Sequence, residues 1–464
     1  QDRPRLKRLF ASTLLSISQR VRTAGARIPK DTRLAASNFG WLSVVHCIAL
    51  VWGSFGTIYL ARVLGPVGFG LYGFAQAVVS HALVVIDGGL RVLGAREVAT
   101  DGDTRGVPRI MVTRLAVGAI MVAIIQIAAL ITLESGIMRT LLSLSALAIL
   151  PVSANAGWAL QGLQRSQFLA FCEAAFAAIY IGGMILFVHG SADVTSVPVV
   201  QTAAFAVSAA LLLAFLSRLP KSFTQSRSMR SDAPVLKAAA TMGLSSLLGF
   251  VLVQADVVAL GIIASPQVVG WYAAASKLIV PFQGVAGYVS FSVLPLMVQR
   301  IEMGADLDGL LRTLWHVIAT AVLPVCVGGF LLAGSLITFV YGPAYNPSSL
   351  PLQVLVWTLF PSFAQIPFGM LLLANRQDRL YLTTMGVAAG ADITLNFLLI
   401  PRYGMLGASI ATLSSWFVVL GFLYRASRPL IPRGLWAWVA RPLAAVALMG
   451  VAVFPLREYP LFAV

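Results

Sequence analysis

The sequence predicts an all-α polytopic membrane protein, on the strength of its composition, its recurring apolar runs and a long internal repeat. Of its 464 residues, 58% are hydrophobic and only 11% are charged, and the mean hydropathy is +0.87. A water-soluble domain of this composition would have too few polar side chains to cover its surface. Lipid is therefore the solvent for most of the chain.

Apolar runs of about 20 residues, enough to cross a bilayer as a helix, recur along the whole length. Thirteen spans are visible, and a fourteenth is left open beyond the last residue. The thirteen predicted spans are 38–63, 69–90, 111–133, 140–162, 168–188, 195–216, 238–263, 270–297, 313–340, 350–373, 380–400, 404–424 and 436–455.

The basic residues are distributed unevenly between the two sets of loops. The net charge is +16, which in a soluble protein would suggest nucleic acid as a partner. If the N-terminus is cytoplasmic, however, the inner loops and tail carry 27 Lys and Arg and the outer loops carry 4. This bias follows the positive-inside rule. We therefore expect no nucleic acid partner, a cytoplasmic N-terminus and a multi-pass location in a bacterial cytoplasmic (inner) membrane.

A repeat divides the chain. "LARVLGPVGFGLYGFAQA" (60–77) returns as "LGIIASPQVVGWYAAASK" (260–277), with Leu60, Pro66, Gly70, Tyr72 and Ala75 each identical at an offset of 200. In each copy we expect the proline to end one crossing and the glycine to begin the next. "GLQRSQ" (162–167) and "ANRQDR" (374–379) form a second echo, in which we match Arg165 to Arg376.

An even number of crossings separates the two copies, so the repeats are parallel. The predicted organisation is two parallel six-helix lobes around a central cleft. Its parts are a basic tail (1–35), an N-lobe with spans 1–6 (36–216), a cytoplasmic linker (217–237), a C-lobe with spans 7–12 (238–425) and a C-terminal region with one or two spans (426–464).

The basic tail has apolar residues at helical spacing between its cations. This pattern favours an amphipathic helix that lies on anionic phospholipids of the inner leaflet, and a disordered basic tail is the alternative. An enzyme is not expected, because the outer loops are short and the sequence contains no HExxH, GxSxG or P-loop motif. The three cysteines show no CxxC spacing. We expect no cofactor and no metal, and we leave proton or sodium coupling open.

A family resemblance gives these observations a function. The segments "YLARVLGPVGFGLYGFAQAVV", "DGGLRVLGAREVA" and "NFLLIPRYGMLGASIATLSSW" resemble the polysaccharide-repeat-unit (O-antigen) flippases. These belong to the multidrug/oligosaccharidyl-lipid/polysaccharide exporter superfamily. The resemblance implies a protein that moves an undecaprenyl-pyrophosphate-linked oligosaccharide to the outer leaflet, for polysaccharide biosynthesis, by alternating access. Polysaccharide polymerase and other assembly proteins are further expected partners.

Charged and polar residues inside predicted spans are the candidates for binding this lipid-linked oligosaccharide, because charge within hydrocarbon is costly. Lys277 could bind phosphate as a point charge, and Gln283 could line the glycan path. His81 and His46, at similar depth on two spans, could bind glycan hydroxyls or sense protons. Asp256 lies at the same depth as Lys277, so an ion pair that staples spans seven and eight is the second interpretation of Lys277.

The acidic residues within spans are candidates for coupling or gating. Asp392 and Asn396 lie one helical turn apart in span eleven, and Glu173 lies in span five. Together with Asp256 they could bind a coupling ion, and helix-packing hydrogen bonds are the alternative. Asp87 and Arg91 have the spacing of a local helix pair. Two other functions stay open: a multidrug or cation exporter of the same superfamily, and a non-transporting scaffold of a polysaccharide assembly complex.

Overall fold

The computed structural model describes residues 30–101, 106–218, 233–304 and 307–430. Within these ranges the ordered structure is helical, without strands, so the predicted all-α fold is confirmed. The tail (1–35) lies almost wholly outside the described residues, and the last predicted span (436–455) lies entirely outside them; both stay predictions.

The α-helices are α1 Lys30–Asp87, α2 Leu90–Asp101, α3 Val107–Thr132, α4 Ile137–Leu147, α5 Ile149–Ser153, α6 Gly157–Gly162, α7 Ser166–Phe187, α8 Ser196–Ser217, α9 Ala233–Ile263, α10 Pro266–Glu302, α11 Asp308–Leu331, α12 Ala333–Tyr341, α13 Ser349–Leu355, α14 Leu359–Ala364, α15 Ile366–Ala374, α16 Asp378–Tyr403 and α17 Met405–Ser427.

Helix α1 contains two crossings. A straight helix of its 58 residues would be roughly 87 Å long, about three times the thickness of the hydrocarbon. The helix breaks at Gly65, which has φ 66° and ψ 176°, a conformation that glycine adopts without a steric cost. Tyr59 before the break and Tyr72 after it both bond to one end of the α7–α8 hairpin, at the Val188 carbonyl and at Gln201. The chain therefore reverses at Gly65.

The proline of the repeat begins the second crossing, which corrects the sequence prediction. Pro266 is the first residue of α10 and Pro66 directly follows the break in α1. A proline is well tolerated there, because the first residue of a helix has no intrahelical partner for its N–H. The glycines lie one turn further on, where the two copies of the repeat touch.

Eleven helices of the described residues are long and apolar enough to cross a membrane. Because the first of them contains two crossings, six crossings precede residues 219–232 and six follow them. We call these sets the N-lobe and the C-lobe. Their crossing segments are Gly53–Asp87, Val107–Thr132, Ile137–Gly162, Gln167–Phe187 and Ser191–Ser217 in the N-lobe, and Gly243–Ile263, Pro266–Glu302, Asp308–Leu331, Pro343–Ala374, Asp378–Tyr403 and Met405–Leu430 in the C-lobe.

A matching pair of tight turns relates the two lobes further. Gln164 and Arg376 are the two non-glycine residues with positive φ among the described residues, at 57° and 59°. In each turn the next residue donates its N–H to the carbonyl five residues back, from Arg165 to Leu160 and from Gln377 to Leu372. The structural equivalent of Arg376 is therefore Gln164 and not Arg165, so the predicted match was shifted by one residue.

Every crossing has two ends, one on each side of the molecule. We call the end at Gly65 and Ser265 the turn end, and the end at Asp87 and Gly243 the linker end, because the latter adjoins residues 219–232. The largest group of buried apolar residues contains members from both lobes, including Leu60, Ala75, Leu260 and Tyr272. The repeat therefore lies at the centre of the molecule.

Candidate functional site

The C-lobe contains a buried group of polar side chains contributed by four crossings. We call it the polar cluster: Asp256 of α9, Tyr272 of α10, Asp392 and Asn396 of α16, and Thr412 of α17. Each of these side chains is less than 5% exposed. Buried polar groups are costly unless they are paired, so the arrangement of their partners decides what the cluster can bind.

Asp256 is held by hydrogen bonds from three directions. The Tyr272 hydroxyl donates to its Oδ2, and the backbone N–H of Val257 lies 2.7 Å from its Oδ1. Thr412 Oγ1 lies 3.1 Å from Asp256 Oδ2 and 2.9 Å from the Ala408 carbonyl. A hydroxyl has one proton, so Thr412 can donate to one of these two oxygens while its lone pairs stay free.

Asp392 and Asn396 form a pair on consecutive turns of α16. Asn396 Nδ2 donates to Asp392 Oδ2 over 3.0 Å. The other oxygen of each residue, Oδ1, is buried and has no hydrogen-bond partner. The predicted hydrogen bond between the two is therefore present, and it leaves two acceptor oxygens to be satisfied.

The cluster has more negative than positive charge. Asp256 and Asp392 lie close enough for their charges to interact, and Lys277 is close enough to interact with Asp256. However, Lys277 is only half-buried and forms no ion pair with Asp256 within the described residues. The stapling interpretation is thus not supported by the geometry, and no carboxylate of the described residues pairs with the Lys277 ammonium.

The oxygens of the cluster are hard ligands, suited to a proton or a hard cation. The described residues contain no group of three His, Cys, Asp or Glu that could hold a metal ion. A transition metal site is therefore not indicated among them. The carboxylate, amide and hydroxyl oxygens could instead accept one monovalent cation.

His81 lies outside this cluster, in a groove where the lobes meet. The groove has a volume of 350 Å³ and is lined by α1, α9 and α16; we call it the seam groove. The Nδ1 atom of His81 lies 2.8 Å from the Ala77 carbonyl, and its ring packs edge-on against Phe250 at 5.2 Å. Asn396 also lines the groove, so the seam groove and the polar cluster share one residue.

The other candidates are scattered. Gln283 lies within 3.5 Å of Thr358 in its own lobe, a long contact that leaves it largely free. Glu173 is half-buried on α7 of the N-lobe, where its charge interacts with that of Arg91, so it does not join the polar cluster. His46 lies in the first crossing of α1, and its side chain is outside the described part of the chain.

The two lobes are closed against each other at the turn end by the repeat itself. A Cβ added at Gly70 would overlap the Pro266 carbonyl, and one added at Gly270 would overlap the Pro66 carbonyl. The contact is therefore reciprocal, and only glycine permits the backbones to approach so closely. Its two halves are the residues that the repeat duplicates.

Two hydrogen-bonded contacts support this closure. Arg62 of the N-lobe donates to the carbonyls of Val340 and Phe339, at 2.8 Å and 2.5 Å, in the last turn of α12. Such carbonyls have no partner within their own helix. Tyr345 of the C-lobe donates to the Ala61 carbonyl over 2.7 Å.

The linker end is closed on one side and looser on the other. Gly243 packs against the backbone at Gly88 and Gly89, which holds α9 to the end of α1. In contrast, α10 beyond Pro281 presents large apolar side chains that are between 44% and 50% exposed: Phe282, Val285, Tyr288 and Leu296. This half of α10 therefore presents an apolar face that the N-lobe does not cover.

Sequence reasoning missed three residues. Tyr272 belongs to the repeat but its direction depends on helix rotation, and Thr412 carried no signal beyond being a hydroxyl in an apolar run. Arg114 lies within the predicted span 111–133 but was not among the candidates; it is 4% exposed inside α3 and donates to Asp87 over 2.8 Å. It replaces the predicted Asp87–Arg91 pair, because the helix breaks at Gly88 and Gly89.

Known proteins resemble this chain in sequence and in fold. A protein of Escherichia coli (strain K12) described as "Putative O-antigen transporter" is 22% identical over 394 residues, covering 79% of this chain and 90% of that protein. The structure of the lipid II flippase MurJ in an inward closed conformation matches with a TM-score of 0.64 at 13% identity, over 89% of this chain and 95% of that one. An inward-facing multidrug resistance MATE family transporter of the MOP superfamily matches with a TM-score of 0.61 at 14% identity, over 86% and 98%.

Structural matches at such low identity establish a shared fold and no more. The family assignment comes from the sequence, where the match extends over more than half of the chain and includes the first copy of the repeat, the linker and the first two C-lobe crossings. Residues 35–300 match the model of a family described as polysaccharide biosynthesis protein, and the chain belongs to that family.

Proposed function

We propose that this protein is a flippase that moves an undecaprenyl-pyrophosphate-linked oligosaccharide repeat unit across the bacterial cytoplasmic membrane, by alternating access. Family membership and the E. coli relative support the polysaccharide pathway. The observation that carries the mechanism is the contrast between the two ends of the lobe interface. The turn end is held by the reciprocal contact at Gly70 and Gly270, whereas α10 beyond Pro281 presents side chains that the other lobe does not cover.

With the predicted orientation, this contrast between the two ends corresponds to one step of a transport cycle. With a cytoplasmic N-terminus, the turn end faces outwards and the linker end faces the cytoplasm. In this proposal the structure represents a state closed to the outside, and a headgroup would enter between the lobes from the cytoplasmic side. Rocking of the lobes would break the turn-end contacts and expose the headgroup on the other side.

Lys277 supplies a positive charge for the pyrophosphate in this proposal. It lies three turns into α10 from the turn end, roughly 16 Å along the helix axis, and carries no ion pair within the described residues. A half-buried ammonium interacts with phosphate more strongly than an exposed one, because the local dielectric is lower. Gln283 lies nearly two turns further along the same helix and could bind the glycan.

The polar cluster would supply the energy coupling. Two buried carboxylates close to each other disfavour the doubly charged state, so a proton or a sodium ion would stabilise the cluster. The free Oδ1 atoms of Asp392 and Asn396, the carboxylate of Asp256 and the lone pairs of Thr412 are its proposed acceptors. Because four of the six C-lobe crossings meet here, occupancy would change how they pack.

A multidrug or cation exporter is the second candidate function. The same buried acidic pair favours it, since carboxylates could bind a cationic drug directly, and the fold likeness to a MATE transporter agrees with it. The cluster, however, is almost completely enclosed, with Asp256 and Asp392 at 3% and 1% exposure. An enclosed site fits a small ion better than a drug.

The test is deletion of the gene followed by analysis of lipid-linked sugars. The proposal predicts an unpolymerised undecaprenyl-linked unit that accumulates on the inner leaflet, and recovery on complementation. Unchanged glycans together with altered drug sensitivity would contradict it and support the exporter. Complementation with Lys277→Ala and Lys277→Arg separates the phosphate role from the fold, provided that each variant reaches the membrane in normal amounts.

A further inference from the structure

The seam groove has a shape that suits a hydrocarbon chain. Along α9 its wall extends from Val251 to Ile262, roughly 16 Å parallel to the helix axis at 1.5 Å per residue. Val78 and His81 of α1 form the opposite wall, and Ile393, Asn396 and Phe397 of α16 complete the lining. Apart from His81 and Asn396, every side chain that lines it is apolar.

The groove is bounded at both ends along the contact between α1 and α9. Towards the turn end, a Cβ added at Gly261 would overlap the ring of Phe74, so the two helices touch there. Towards the linker end, His81 packs on Phe250, and beyond them Gly243 packs on Gly88. Between these contacts the lobes stand apart and leave the 350 Å³ space.

The groove opens sideways to the bilayer. Three of its lining residues are well exposed on the outer surface: Ile262 at 67%, Phe397 at 55% and Ile393 at 44%. In a membrane, the solvent that meets such a surface is hydrocarbon. A chain that enters here would touch both lobes at once, and it would lie against Asn396 of the polar cluster.

The polarity of the groove indicates which way a lipid would lie. His81 is six residues from Asp87, the last residue of α1, so it lies roughly 9 Å from the linker end. The apolar wall continues from there towards the turn end. A lipid in the linker-side leaflet has its phosphate at that interface and its tail directed inwards, which matches the course of the groove from His81 to Ile262.

We propose that the seam groove holds a segment of the polyisoprenyl tail of the lipid-linked substrate while the headgroup lies between the lobes. This inference rests on the proposed function, which supplies a substrate with such a tail. It assigns the tail a fixed place between α1, α9 and α16 instead of an unrestricted position in the bilayer. Because the two walls belong to different lobes, rocking would have to reshape the groove and release the tail.

Photo-crosslinking at two neighbouring residues tests this proposal. Phe397 lines the groove and Leu398 does not, although they are adjacent on α16 and equally exposed, at 55% and 56%. Each is replaced by p-benzoylphenylalanine in the full-length protein, which is reconstituted in phospholipid vesicles with radiolabelled undecaprenyl phosphate. We expect several-fold more isoprenoid adduct at position 397 than at position 398, and similar phospholipid adducts at both.

Equal isoprenoid labelling at the two positions, or phospholipid as the only adduct at position 397, would overturn the proposal. Failure of this proposal is distinguishable from failure of the proposed function, because labelling measures binding of the isoprenoid and does not require transport. Selective labelling at position 397 with unchanged lipid-linked sugars after gene deletion would contradict the proposed function and leave the tail site standing. A second variant, Val258→Trp, fills the groove from α9 and should remove the labelling at position 397 without changing that at position 398.

Discussion

The N-lobe and the C-lobe place different chemistry at matching positions. Asp256 corresponds to Gly56 at the offset of the repeat. In the N-lobe, a Cβ added at Gly56 would lie 3.0 Å from the ring of Tyr180. The equivalent turns at Gln164 and Arg376 are 212 residues apart, and the same offset places Asp392 opposite Tyr180. A glycine and a tyrosine thus occupy the positions where the C-lobe has two carboxylates.

The duplicated tyrosines show the same contrast. Tyr72 lies 3.5 Å from Gln201 on the last helix of the N-lobe, whereas Tyr272 bonds to Asp256 beside Thr412 on the last helix of the C-lobe. The side chains at these N-lobe positions are neutral, and they pack on aromatic rings and contact an amide. The C-lobe set is acidic and requires a cation or a proton. One backbone architecture therefore carries the proposed ion site in one lobe and a packed, neutral core in the other.

The largest expected effect comes from removing a charge from the C-lobe set. Asp392→Asn should lower the transport rate by at least about tenfold, equivalent to roughly 1.4 kcal/mol, because the acceptor of the coupling ion becomes a neutral amide. Tyr180→Phe, at the matching position of the N-lobe, should stay within about twofold. Both variants conserve volume, so membrane-inserted amounts should be normal. Equal losses in the two variants would break the comparison between the lobes.

Lys277 gives the next largest effect. Its counterpart in the repeat is Ala77, so the positive charge is also confined to the C-lobe. Lys277→Ala should reduce complementation strongly while folded protein stays in the membrane, and Lys277→Arg should retain part of it, since a point charge matters more here than fork geometry. Recovery of function in the Lys277→Ala, Asp256→Ala double mutant would show that the two residues serve only each other.

The turn-end contact should behave symmetrically, unlike the ion site. Gly70→Val and Gly270→Val each force a side chain against a carbonyl of the opposite lobe and should open the turn end to a similar extent. The measurement is the distance between spin labels on Val67→Cys and Gln267→Cys, equivalent and exposed positions, with the native cysteines replaced by serine. Both glycine variants should lengthen it. A change in only one of them would contradict the reciprocal contact.

The smallest effect distinguishes the two tyrosines. Tyr272→Phe removes a donor to Asp256 and should change transport, or its dependence on the coupling ion, by a few-fold, equivalent to about 1 kcal/mol. Tyr72→Phe removes a long contact to Gln201 and a hydrogen bond with Tyr180; no charged group loses a partner, so this change should be close to neutral. If Tyr72→Phe proves the more damaging of the two, the N-lobe residues contribute to transport and the contrast between the lobes is wrong.

Sequence reasoning reached the architecture but only part of the site, for physical reasons. The repeat and the apolar runs identify crossings, since both are properties of one helix at a time. The Asp392–Asn396 bond was predictable because the two residues are one turn apart on a single helix. The Lys277–Asp256 ion pair, the alternative interpretation of Lys277, is absent from the described residues. Equal depth on two helices does not fix their rotation, and the Tyr272 hydroxyl bonds to Asp256 instead.

Helix breaks and contacts between the lobes could not be predicted from the sequence either. Gly88 and Gly89 separate Asp87 from Arg91, and Arg114 from a third helix takes the carboxylate instead. The seam groove depends on where α1 and α9 touch, at Phe74 with Gly261 and at Gly88 with Gly243. No spacing rule within one segment encodes such contacts, because they depend on the packing of the two lobes.

The central claim is that the C-lobe alone carries a cation site, and equilibrium cation binding to the purified protein tests it most directly. We predict that the wild-type chain binds one cation, seen either as bound ²²Na⁺ or as one proton taken up on acidification from neutral pH. Asp392→Asn should abolish this binding, and Tyr180→Phe should retain it. Undiminished cation binding by Asp392→Asn, or loss of binding in Tyr180→Phe, would contradict the account.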